Sequence, residues 1–150
     1  MSQSLAQILI HLVFSARDRE ACLEEHIHGR LQAYLVGILR HLACPPHAAT
    51  IQPDHVHLVF ELARTRSIAK VVEELKTGSS KWLKQQDPAL TEFSWQDGYV
   101  VFSVSESRLR SLMLRLAAQR RYHAVSNYQD ELRMLLAAHD MRFDERYLWS

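Results

Sequence analysis

The chain has 150 residues, with 18 Lys and Arg against 17 Asp and Glu, a formal charge of +1, and a hydrophobic share of 47%. That composition argues against disorder and low complexity, and it rules out a wholesale basic footprint for nucleic acid, so any basic surface must be local. Two cysteines, Cys22 and Cys44, form neither a C-x-x-C pair nor a metal-finger spacing, which fits a reducing, cytoplasmic setting. The apolar run from Leu5 to Phe14 is broken by Gln7 and His11, lacks a positive leader and is too short to span a bilayer. Neither secretion nor membrane anchoring is expected.

Residues 5–14 (LAQILIHLVF) predict a strand rich in apolar residues. Leu31, Leu35, Ile38 and Leu42 recur at helical spacing and predict a helix over 23–42, stopped by Cys44-Pro45-Pro46 because proline cannot continue the hydrogen-bond ladder. A short strand over 48–53 turns at Pro53-Asp54 into a third, His55 to Leu62. Ser67 is a good N-cap for a second helix reaching about residue 85, with Ile68, Val71, Val72, Leu75, Trp82 and Leu83 as its apolar stripe. A polar loop, 87–98, leads to a fourth strand, Tyr99 to Ser105. Two more helices are expected, over about 107–124 and 128–138, and then an aromatic, charged tail. The order β-α-β-β-α-β followed by helices predicts an α+β fold, a ferredoxin-like split βαβ sandwich with additional C-terminal helices, in one domain spanning 1–150. That fold hosts many functions and decides none.

Two His-x-His pairs stand out, and geometry separates them. His26 and His28 fall in a helix, where residues two apart point in nearly opposite directions, so they read as solvated surface groups. His55 and His57 fall in a strand, where alternate residues share a face and both rings can reach one ion. Two histidines falling on one strand by chance, each satisfied by hydrogen bonds, is the competing reading. A divalent ion would need further ligands and, for chemistry, an open position; placed there it could polarise a phosphodiester oxygen.

The run Pro53-Asp54-His55-Val56-His57-Leu58-Val59-Phe60 resembles the HUH strand of single-tyrosine transposases and of their relatives associated with repeated palindromes. Other segments carry the likeness along the chain. Ile10 to Ser15 resembles the opening strand. Val72 to Lys76 and Ser79 to Leu83 resemble the helix after the HUH strand. Trp95 to Tyr99 and Phe102 to Ser105 resemble the approach to the tyrosine helix, and Phe143 to Trp149 the usual ending. The resemblance implies an HUH-endonuclease-like homodimer that cuts and rejoins single-stranded DNA beside a hairpin. It implies a magnesium or manganese ion held by two histidines and a glutamine, which map to His55, His57 and Gln119. It also implies a helix tyrosine that attacks the phosphate and stays joined to the 5′ end.

The family's helix reads tyrosine, three residues, glutamine; here Arg115-Leu116-Ala117-Ala118-Gln119 puts arginine in the nucleophile's place. A guanidinium stays protonated and cannot attack, so the usual reaction cannot run from residue 115. Tyr122 returns to nearly the same helix face, but about 10 Å along the axis, on the far side of Gln119, which is poorly placed for in-line attack. Tyr99 and Tyr128 are weaker substitutes. Arg115 can instead hold a phosphate through a bidentate contact, or simply face solvent.

Arg64, Arg66, Lys70, Lys76, Lys81 and Lys84 make the second helix and its approach basic, partly offset by Glu73, Glu74 and Asp87; Arg108, Arg110, Arg120 and Arg121 do the same for the third. Such faces either track a DNA backbone or are ordinary solvated surface. Trp82 reads as core, whereas Trp95, in a polar loop, is the candidate for stacking on an unpaired base. Asp144, Glu145 and Arg146 read as solvated or as dimer contacts. Three functions compete. The first is a DNA-binding member of the transposase family that has lost tyrosine-dependent cleavage. The second is a working nuclease or transposase using Tyr122 or a metal-bound water. The third is a ferredoxin-like dimer with structural histidines and no link to DNA.

Overall fold

Seven consecutive buried residues make β1 (Leu9–Ser15) the spine of the molecule. A strand covered on both faces has no solvent side and reads as a continuous apolar run. In the computed structural model, which describes residues 2–119 and 127–150, β1 lies between two neighbours. The sheet also holds β2 (Pro46–Ile51), β3 (His55–Glu61) and β4 (Val100–Val104), all antiparallel in the order β2-β3-β1-β4. This is the ferredoxin-like order that the element sequence predicts. β1 starts at Leu9 rather than Leu5, because Leu9 pairs with the last residues of its neighbours, Glu61 and Val104; past them Leu62 N–H still donates to Ile8 O at 2.7 Å.

Ile10, Leu12 and Phe14 of β1 and Val56, Leu58 and Phe60 of β3 point to one face. That face is covered by α1 (Glu25–His41), through Ile27, Leu31, Leu35 and Leu39, and by α2 (Ile68–Gln86), through Val71, Val72, Leu75 and Leu83. Trp82 stacks on Tyr34 with ring centroids 4.8 Å apart, joining the two helices at the rim of this core. Ser67 caps α2, its hydroxyl accepting from Lys70 N–H. After α1 the chain reverses at Ala43, which takes a positive φ of 59°, and Cys44 N–H closes back on Leu39 O.

The other face is covered by α3 (Glu106–Ala117) and α4 (Tyr128–Ala138), followed by the single turn α5 (Glu145–Leu148). Leu112 and Leu116 of α3 pack on Val59; Tyr128, Leu132 and Leu136 of α4 pack on Val13, Val100 and Phe102. α3 ends at Ala117, where the Ala118 N–H closes on Leu114 O, short of the residue 124 that the sequence predicts; residues 120–126 lie outside the described residues. The Trp95-Gln96-Asp97-Gly98 loop and the tail meet in space. Gln96 Oε1 accepts from Ser15 N–H at 2.8 Å, while Gln96 Nε2–H donates to Ser150 O at 3.2 Å and Gly98 N–H to the same carbonyl at 3.1 Å. Among the described residues, no helix is long and apolar enough to cross a membrane.

Candidate metal centre

Strand alternation sends His55 and His57 of β3 and His11 of β1 to the α3–α4 side, opposite Val56, Leu58 and Leu12. Both β3 imidazoles are buried. Each has its Nδ1 engaged. His55 Nδ1 lies 2.6 Å from Asp54 Oδ1, in the turn before the strand, and His57 Nδ1 lies 2.8 Å from His11 Nε2. Partners at one nitrogen fix the ring and aim the other. Here both Nε2 atoms meet Glu131 of α4, with Oε2 at 3.4 Å from His55 Nε2 and Oε1 at 2.8 Å from His57 Nε2. Gln119 joins them: its Nε2 is 3.1 Å from His57 Nε2 and donates to Glu131 Oε1. Gln119 Oε1 is buried without a hydrogen-bond partner among the described residues.

The charges follow from these neighbours. Burial pushes Glu131 up, but hydrogen bonds from His55 and His57 outweigh it and hold its carboxyl far below the usual range. Burial disfavours a charged His55, and the carboxylates of Asp54 and Glu131 overcome that, so its pKa rises. His11 has no such carboxylate contact; burial, then His57 and Arg115, push it down to about 3, and it stays neutral.

The donor set fits a divalent cation. Ligand atoms of His55, His57 and Glu131 all lie within 4.8 Å of one another. An amide exchanges its oxygen and nitrogen on a half-turn, so the unpartnered Gln119 oxygen can be presented to the same point. The structure thus brings together His55, His57 and Gln119, the set the resemblance implies, and adds two groups the sequence reading missed. His11 had one signal, a lone polar residue inside an apolar strand. Glu131 had none: an acidic residue in the first turn of a helix is ordinary, and nothing in the chain ties it to the histidines.

The remaining candidates fall elsewhere. Arg115 is exposed on α3, near enough to disfavour charge on His11. Tyr122, with Arg120 and Arg121, lies outside the described residues. Tyr128 stacks on His55, ring centroids 4.3 Å apart, but it is buried, and burial together with Asp54 and Glu131 pushes its phenol up, the wrong direction for a nucleophile. Tyr99 is half-buried beneath the Lys76 ammonium.

Arg64, Lys70, Lys81 and Lys84 are exposed, but α2 and its approach lie across the sheet from the histidines, and Lys70 is paired with Glu73 and Glu74. Lys76 does not track a surface at all. Its ammonium donates to Gln96 O at 2.7 Å and Gly98 O at 2.6 Å, and burial pushes its pKa down to about 8. Trp95 is not a free stacking platform either. It is 5% exposed, edge-on to Phe14 and Phe93, and its Nε1–H donates to Ser79 Oγ at 2.9 Å, because β1 and α2 close over the loop. His28 is buried rather than solvated, since it lies beside Ile27 on the inner side of α1, where its Nε2–H donates to Leu23 O at 2.7 Å; His26 is exposed. Asp144 pairs with Arg146 and Glu145 with Arg133, all within the chain.

A ferredoxin-like sheet with paired histidines on a central strand, met by a glutamine just past the end of α3, is HUH-endonuclease-like in fold. The chain belongs to the IS200-like transposase family, whose sequence profile matches residues 4–114. That match includes His55 and His57 and stops one residue before Arg115. Two solved structures share the fold. One is a protein from Deinococcus radiodurans R1 assigned as a transposase, 21% identical, with a TM-score of 0.62 over 79% of this chain and 97% of that one. The other is a REP-associated tyrosine transposase bound to a REP hairpin, 15% identical, with a TM-score of 0.60 over 82% of this chain and 74% of that one. No curated protein matches the sequence at a significant level.

Proposed function

We propose that this chain binds single-stranded or hairpin DNA at insertion-sequence or repeat-palindrome ends and no longer cleaves it through the family's tyrosine. The observation that carries this is Arg115, in the nucleophile's place four residues before Gln119, beside a ligand set that is otherwise kept. His55, His57 and Gln119 would hold a divalent cation, which when bound polarises a phosphodiester oxygen. Arg115 supplies the fork of donors that grips a phosphate in two places and has no proton it can lose to become a nucleophile. A hairpin is the partner in one of the similar structures, which supports DNA as the partner here. Gln119 reaches His57 of its own chain, which supports a ligand set completed within one subunit; a homodimer is a separate proposal, checked by light scattering at micromolar concentration.

The test is incubation with labelled hairpin-bearing single strands and manganese, read on native and denaturing gels. Binding is expected without nicking or adduct, and Arg115→Tyr is expected to restore a covalent band. A covalent band from the unmutated protein, lost in Tyr122→Phe, overturns the loss of cleavage and moves the nucleophile to residue 122.

A further inference from the structure

We propose that Glu131 is a fourth protein ligand of this centre, closing it so that it takes a transition-metal ion of the zinc class in preference to magnesium. This rests on the reading that a divalent cation sits at His55 and His57, and it names the ion's chemistry and a ligand from another helix.

Three observations converge. The first is position: both carboxylate oxygens are engaged, one with each histidine Nε2, at 3.4 and 2.8 Å. The second is anchorage. Glu131 lies between Tyr128, stacked on His55, and Leu132, buried against the sheet, so its place is fixed by packing rather than by a loose surface pairing. The third is the donor set: the ligand atoms of His55, His57 and Glu131 all lie within 4.8 Å of one another, close enough to share one ion.

With Gln119 Oε1, the set becomes two imidazole nitrogens, an amide oxygen and a carboxylate oxygen. Four protein ligands of mixed nitrogen and oxygen character suit zinc and its neighbours, and a site with all four positions filled by protein is the closed, structural kind. Magnesium keeps several waters in its shell, and a fourth protein ligand takes a place that one of them would fill. A closed centre also suits a chain whose nucleophile position holds arginine: the ion would brace β3, α4 and the segment just past α3 together, and a DNA phosphate would have to displace Glu131 to reach it.

The experiment uses the whole chain stripped with chelator, then titrated with Zn2+, Mg2+ and Co2+ by calorimetry and thermal unfolding. One equivalent of Zn2+ should bind and raise Tm, while millimolar Mg2+ leaves Tm unchanged. Glu131→Gln, which keeps shape, should weaken Zn2+ binding by at least about 100-fold, more than loss of an outer hydrogen-bond partner does. Co2+ in the unmutated protein should give the intense visible absorption of a four-coordinate ion, an answer that needs no variant. Zinc bound equally well by Glu131→Gln, Mg2+ binding as tightly as Zn2+, or a weak six-coordinate cobalt spectrum each overturns the proposal. If zinc binding survives His55→Ala as well, the cation is elsewhere and the underlying reading falls too. If His55→Ala abolishes it and Glu131→Gln does not, only the role of Glu131 falls.

Discussion

The two faces of the sheet are built from the same strands and serve opposite ends. Toward α1 and α2, β1 and β3 present Leu12, Phe14, Val56, Leu58 and Phe60, with no polar side chain among them. Toward α3 and α4 the alternate residues include His11, Ser15, His55 and His57, all buried. The first face owes its stability to removing apolar area from water. The second buries imidazoles and must give each a partner, because an unsatisfied buried polar group is costly. Stability and chemistry are thereby divided across a single layer of backbone, and the division can be tested.

The largest effect belongs to the apolar face. Phe14→Ala should cost about 3–5 kcal/mol in urea unfolding, because its ring is fully buried against Trp95. His57→Ala, on the other face of the same sheet, should cost about 1–3 kcal/mol without metal, by leaving His11 and Glu131 short of a partner, and should abolish any metal-dependent rise in Tm. Equal losses from the two variants would mean that the histidine face carries the fold as well. Next comes DNA. Arg110→Ala on α3 should weaken hairpin binding by roughly tenfold and lower the salt slope by about 1, whereas Lys81→Ala on α2 should change neither, as read by shift assays across a salt series. The reverse result would put the DNA on the α2 side, away from the metal centre. Smallest is Trp95→Phe, expected to cost about 1 kcal/mol through the lost bond to Ser79, with DNA affinity unchanged. A large loss of affinity there would show that this ring reaches a base after all.

Much of the fold was legible because local rules governed it. Ser67 does cap α2, the double proline does follow α1, and Pro53-Asp54 does turn into β3. The two histidines were legible for the same reason, since a two-residue spacing in a strand is a statement about one face. What stayed hidden depends on which elements meet. The sequence did not show that the basic stripe of α2 lies across the sheet from the histidines. Lys76 and Trp95 looked like surface groups, but the 95–98 loop folds over Lys76 and turns Trp95 inward onto Ser79. Glu131 could not be found from sequence, because its role comes from α4 crossing the sheet at the height of His55 and His57.

The pairing of Val13 with His57 and Ser15 with His55 has a consequence for how the chain finds its fold. Side chains alternate with a period of two, so a slip of β3 by one residue against β1 would exchange its two faces. Such a misregistered pairing would press two imidazoles among the leucines of α1 and strand Val56, Leu58 and Phe60 opposite Glu131. Neither half of that arrangement is tolerable, so the mistake is penalised twice. The same residues that make the centre polar thus also proofread the assembly of the sheet that carries it.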